Sequence, residues 1–256
     1  MEHLVEQALV AAPHKRLVWQ LGKVVRVVPE TSRTKTLVLE VPDWPQHQPG
    51  QHLDVRLTAE DGYQAQRSYS VGSPPEDKHV AITVERLEDG EVSPYLTDEL
   101  DIGDELELRG PIGGYFTWQA SQGGPLLLVA GGSGVVPLMA MIRHRAAAGR
   151  EVPARLLYSS RTFEDIIYRE ELDQLAQDPG LEVFHTLTRS QPEGWAGHRR
   201  RIDSTLLEEV AWPSQQQPHI FICGPTRLVE AVATTLTELG HDPARVKTER
   251  FGPSGG

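Results

Sequence analysis

"LLLVAGGSGVVPLMAMI", Leu126–Ile142, is an apolar run that halts on a cluster of glycines and resumes as an apolar helix. A run with no polar interruption fits a strand covered on both faces, as in a parallel sheet. Gly131, Gly132, Ser133 and Gly134 then form a turn that leaves bare backbone amides at a helix N-terminus, an arrangement suited to a pyrophosphate. A tight structural turn is the alternative reading. Pro137 stands where the dinucleotide fingerprint has its third glycine, and the absence of a following Gly-Lys-Ser/Thr excludes a nucleoside-triphosphate loop.

Downstream, "ARLLYSS", "LEVFHTLT" and "HIFICG" read as strands, separated by the helical stretches "EDIIYREELDQLAQD" and "STLLEEV" and followed by "TRLVEAVATTLTELG". Strands alternating with helices predict an α/β doubly wound parallel sheet. One strand ends in Ser159, Ser160 and Arg161, the next in Thr188 and Arg189. Hydroxyls and cations in place of a ribose-binding acid favour a 2′-phosphate, hence NADPH, with NADH possible. Ordinary surface arginines are the alternative, and Glu164 and Asp165 stand beside Arg161. Cys223, Gly224 and Pro225 end a further strand, where open α/β sheets build ligand sites. A small buried filler is the commoner fate of a lone cysteine.

Upstream, from Leu17 to about Gly114, the chain is written in short strands. "LVWQLGKVVRVV", "TKTLVLEV", "QHLDVRLT", "RSYSVGS", "HVAITVERL" and "DELELRGP" are rich in Val, Leu and Thr and punctuated by Pro, Gly and Asp. "VSPYLTDELDIGD" interrupts them as a helix, with Ser93 as its N-cap and Pro94 at its first position. The expected organisation is a six-stranded antiparallel barrel over 14–116 followed by the α/β domain over 117–256.

"QRSYSVGS" puts a cation, an aromatic plate and a small hydroxyl at one strand end of that barrel. Beside a nucleotide-binding sheet these are the parts of a flavin site: Arg67 for a phosphate, Tyr69 for stacking, Ser70 near the reactive edge. "DGEVSPYL" offers a second phosphate site, Gly90, Val92 and Ser93, at a helix N-terminus. Two phosphate sites imply FAD.

Composition narrows the field. The net charge of −11 argues against nucleic acid as a partner. "GHRRRID", with Arg199, Arg200 and Arg201, is the local exception, a solvated turn or a site for a small phosphorylated ligand. The single cysteine rules out an internal disulfide and a cysteine-ligated iron–sulfur cluster, and no metal site is expected. Mean hydropathy is −0.37, and no run approaches the roughly 18 apolar residues of a membrane helix. The start, "MEHLVEQALVAAPHK", does not read as a signal peptide, so a cytoplasmic protein with no membrane partner is expected.

Taken in order, "RSYS", "GEVSPYL", "GPIGGYF", "AGGSGVVP", "YSSRTFEDIIYREEL", "CGP" and "ERFGPSGG" resemble the ferredoxin–NADP reductase family over nearly the whole chain after Leu17. The resemblance implies a flavin-dependent reductase, with FAD on the barrel and the nicotinamide nucleotide on the sheet. It places Thr83 and Val84 beside the flavin, Cys223 and Glu249 with Ser70 in the hydride-transfer pocket, and Phe251 as the aromatic near the C-terminus. It also implies electrons passing to a separate ferredoxin, flavodoxin or oxygenase component. Two other classes remain: reduction of a small acceptor such as free flavin, ferric chelate or quinone, and a flavin electron-transfer subunit that oxidises no nucleotide.

Overall fold

The computed structural model describes residues 17–251. The N-terminal stretch weighed as a leader, the first residues of the expected barrel domain (14–16), and the tail from Gly252 onward lie outside the described residues.

Six antiparallel strands form the first sheet: β1 (Gln20–Thr31), β2 (Thr34–Glu40), β3 (His52–Thr58), β4 (Gln64–Ser70), β5 (Val80–Glu85) and β6 (Glu105–Ile112), in the order β4-β3-β6-β1-β2-β5. All six expected strands are present. Alternation decides what each strand buries: Leu106 and Leu108 of β6 enter the core, whereas Glu105 and Glu107 face outward. The sheet curls until its edges approach, with Val71 bridging Ile82 and the Gly72 N–H donating to the Ala81 carbonyl at 2.7 Å. Curling in this way covers two edges that would otherwise be open to pairing.

The segment expected as a helix behind Val92 is shorter than its pattern suggested. It closes as a π-helical turn over Tyr95–Glu99, and Ser93 does not cap it. The Ser93 Oγ instead accepts the Leu87 N–H at 3.0 Å, tying the preceding loop to the turn.

The second sheet is parallel: β7 (Leu126–Gly131), β8 (Ala154–Ser160), β9 (Leu181–Leu187), β10 (His219–Pro225) and β11 (Val246–Phe251), in the order β11-β10-β7-β8-β9. Helices cover both faces. Leu126, Leu128 and Ala130 pack with α1 (Val135–Ala147) and with Leu172 of α2 (Arg169–Leu175). Leu127 and Val129 pack with α3 (Ser204–Val210) and α4 (Thr226–Glu238). β7 is therefore buried along its full length, which explains its unbroken apolar run. Strand order reverses direction between β7 and β10, the point at which open sheets leave a crevice at their carboxyl ends.

α2 begins later than its sequence pattern predicts. Tyr168 adopts a left-handed backbone (φ 58°) and is buried, so the helix nucleates only after it. β11 was not anticipated as a strand. Among the described residues no helix is long and apolar enough to cross a membrane.

Candidate functional site

One cavity of about 760 Å³ lies where the carboxyl ends of β7, β8 and β10 face the barrel. Its walls bring together the sequence motifs that lie furthest apart. The barrel contributes Arg67, Tyr69, Ser70, Thr83, Gly90, Val92 and Ser93. The parallel sheet contributes Gly132, Ser133, Ser160, Arg161, Thr188, Pro225 and Phe251.

Strand pleat sorts these side chains. On β5, Thr83 and Glu85 face the cavity while Ile82 and Val84 are wholly buried in the barrel core. Val84 therefore presents no side chain to the cavity. Tyr69 packs its ring against the same core and is pushed up to about 12 by burial, so it stays a neutral plate. Arg67 stands at the mouth, half-exposed, donating to Glu91 Oε2 at 2.7 Å, and Tyr63 donates to the other Glu91 oxygen at 2.6 Å. Glu91 thus occupies the cation that a phosphate would take. It carried no sequence signal beyond its place inside "GEVSPYL".

At the sheet, Gly132 has φ +54°, and a Cβ there would meet nothing within 4 Å. The turn is open to the cavity and conformationally suited to glycine. Gly134 serves differently: a Cβ would fall 2.2 Å from the Cys223 carbonyl oxygen. It lets the α1 turn nest against the end of β10 and does not itself line the cavity.

Cys223 and Glu249 are register partners on β10 and β11, two residues before the wall residues Pro225 and Phe251. Neither side chain is on the wall. Burial raises the Cys223 thiol well above its ordinary range, and the Glu249 carboxylate adds to this. Glu249 itself is raised to about 7 by burial, and its Oε2 has no hydrogen-bond partner.

Arg161 lines the cavity, but Arg189 and Gly224 do not. Asp165 shares the wall with Arg161 and accepts from Thr162 N–H at 3.1 Å and from its hydroxyl at 3.0 Å. The arginine cluster beyond is not part of the site: Arg199 donates to the Trp195 carbonyl, and Arg200 pairs with Asp203. Sequence reasoning also missed Thr31, Arg33 and Glu85 on the rim. For Glu85 a signal existed, since the apolar–polar alternation of "AITVE" puts Thr83 and Glu85 on one face.

The donor set fits the two nucleotides the sequence implied. An open glycine turn at a strand end, a cation at the mouth, an aromatic plate and two hydroxyls converge on one cavity, whose volume is in the range of cofactor sites. Among the described residues no cluster of His, Cys, Asp and Glu could hold a metal ion.

Comparison with known proteins agrees with this division of labour. Residues 22–117 match the oxidoreductase FAD-binding domain, and residues 128–234 match the oxidoreductase NAD-binding domain. A ferredoxin–NADP reductase B of Sorangium cellulosum is 36% identical over 209 residues, covering 79% of this chain and 84% of that protein. A glycine betaine monooxygenase reductase subunit of Chromohalobacter salexigens is 34% identical, covering 89% of this chain; the chain spans 63% of that relative's length. Among solved structures, the flavohem-like FAD/NAD-binding domain of nitric oxide dioxygenase from Vibrio cholerae superposes with a TM-score of 0.82 at 25% identity, covering 91% of this chain and 99% of that one.

Proposed function

We propose, from the premise that this chain belongs to the ferredoxin–NADP reductase family, that it takes hydride from NADPH onto FAD and passes electrons to a separate redox protein. Ferredoxin, flavodoxin or an oxygenase component is the acceptor class. The observation that carries this reading is the single cavity walled by both the Arg67–Ser70 strand end and the Gly132–Ser133 turn. A bound FAD supplies the exchange between two-electron hydride chemistry and single-electron transfer.

The chain's own residues do the positioning. Arg67 and the Gly90–Ser93 turn are the phosphate holders on the barrel side, with Glu91 yielding Arg67 to the incoming anion. Tyr69 gives an apolar face, and Ser70 offers a hydroxyl on the cavity wall. The Gly132–Ser133 turn holds the nicotinamide dinucleotide's pyrophosphate at the start of α1. Val136 and Leu228 add apolar wall that sheds water from the reacting faces. Cys223 and Glu249 shape the nicotinamide pocket. The domain division at 116/117 falls in the link between β6 and β7. With one cysteine and no apolar span among its described residues, the chain suits a cytoplasmic site of action.

Arg161 on the wall supports NADPH. Asp165 on the same wall is the observation that favours NADH instead. Anaerobic stopped-flow mixing of the FAD-loaded protein with each nucleotide decides between them. Flavin bleaching with NADPH, slowed when Arg161 is replaced by Gln, is the expected result. Faster bleaching with NADH would transfer the specificity to Asp165, and bleaching with neither would overturn the reductase reading.

A further inference from the structure

A row of hydrogen bonds runs from the barrel surface to the cavity, and apart from Thr83 on the wall it has no part in the reading above. β1 and β2 shift register between Pro29 and Thr31, leaving Glu30 unpaired in a bulge. Bulges re-aim side chains, and here the carboxylate is turned over β2. One Glu30 oxygen accepts from Thr36 Oγ1 at 2.7 Å, and the other accepts the Tyr168 N–H at 3.2 Å. Thr36 pairs with Thr83 of β5, their hydroxyl oxygens 2.7 Å apart. The Tyr168 hydroxyl closes on Thr83 from the other domain. Thr36 and Thr83 are 6% and 5% exposed, Glu30 is only half-buried, and Thr83 is on the cavity wall.

The row thus has a titratable group at its solvent end, two water-excluded hydroxyls, and the cavity at its inner end. Each hydroxyl has a single proton, so the row has two polarities. With Glu30 ionised, Thr36 donates to it, Thr83 donates to Thr36, and Thr83 offers only lone pairs to the cavity. With Glu30 protonated, the carboxyl donates to Thr36, Thr36 donates to Thr83, and the Thr83 proton turns toward the cavity.

We propose that Glu30, Thr36 and Thr83 are a proton conduit between solvent and the cavity. This rests on the FAD reading. A hydride brings two electrons and one proton, whereas the neutral, fully reduced flavin holds two of each, so its second proton arrives separately. Along the row, the Glu30 O–H breaks as a new O–H forms on Thr36. The former Thr36 proton forms a new O–H on Thr83, and the former Thr83 proton enters the cavity. Glu30, left as a carboxylate, regains its proton from water, and the row runs in reverse when electrons leave singly. Glu30 is a positioning residue, acting through the threonines. The groups facing it are Arg143 from α1, Glu171 from α2 and Tyr168 before α2. Burial raises its carboxyl above the ordinary range, against the hydrogen bonds from Thr36 and Tyr168 and the charge of Arg143.

The test uses Thr36→Val, which keeps shape and deletes the hydroxyl, with Thr36→Ser and Glu30→Gln beside it. Without added nucleotide, a pH titration of ¹³C-labelled glutamate carboxyls should show, besides the Glu249 resonance, a second one with a raised midpoint that is absent in Glu30→Gln. Thr36→Val should move that midpoint higher, because the carboxylate loses a donor. In the FAD-loaded protein mixed anaerobically with NADPH, an indicator dye reports proton uptake while absorbance reports bleaching. Thr36→Val should slow uptake on the order of tenfold or more, with Thr36→Ser restoring it. A midpoint unmoved by Thr36→Val, or uptake at the wild-type rate in both Thr36→Val and Glu30→Gln, overturns the conduit. Failure to bind FAD would overturn the reductase reading instead, and the carboxyl titration would still report on the row.

Discussion

Glu249 is the residue whose environment is most at odds with its charge. It sits on β11 beside Cys223, half-buried, with Oε2 enclosed and unpartnered and its pKa raised from 4.5 to about 7. A carboxyl raised in the folded state favours folding while protonated. That contribution is whole below about pH 4.5 and is lost as pH rises through about 7. Glu249→Gln, which cannot ionise, should therefore gain on the wild type by about 2–3 kcal/mol between pH 4.5 and pH 8, allowing for residual hydration. Urea midpoints of both proteins at the two pH values check this, and a constant difference would show that Glu249 is not destabilised by ionisation. The pairing of Cys223 with Glu249 was legible only through the family resemblance, because residues of separate strands share no local pattern. The Thr83/Val84 division was legible in the strand alternation, yet the resemblance treated both residues alike.

The turn before α1 nests tightly against the end of β10. A Cβ on Gly134 would contact the Cys223 carbonyl oxygen at 2.2 Å and the Gly224 nitrogen at 2.8 Å, and backbone cannot swing aside as a side chain can. At Gly132 the space is open and only the left-handed backbone opposes a side chain. Gly134→Ala should thus cost about 3 kcal/mol by overpacking, against about 1 kcal/mol for Gly132→Ala by backbone strain. Urea unfolding of the two variants compares them, and equal losses would mean that the turn relaxes away from β10. The strands of both sheets were legible because burial follows two simple patterns, alternation in the barrel and unbroken apolar runs in the parallel sheet. Helix starts were less legible. The periodicity of "EDIIYREEL" runs straight through Tyr168, whose left-handed backbone is compatible with its buried place against the barrel, not with its neighbours in sequence.

At the scale of the molecule, two domains readable separately are joined by a polar seam that no local stretch announces. Its bonds link residues as far apart as Thr83 and Tyr168, or Gly72 and Arg143. Arg143 of α1 is its centre: it donates to the Gly72 carbonyl at 2.5 Å and to both Glu171 oxygens at 2.8 and 2.6 Å, and lies 4.7 Å from the Tyr168 ring centroid. The Arg143 side chain is 17% exposed and that of Glu171 38%, so loss of the cation strands the carbonyl more than the carboxylate. Arg143→Met keeps the aliphatic packing and removes every donor. It should destabilise the protein by about 1–3 kcal/mol and loosen the coupling between barrel and sheet. Calorimetry should then resolve two transitions where the wild type shows one, whereas Glu171→Gln, which leaves the bond to Gly72 intact, should keep a single transition. Splitting in Glu171→Gln but not in Arg143→Met would place the coupling in the ion pair's carboxylate and not in the bond across the domains.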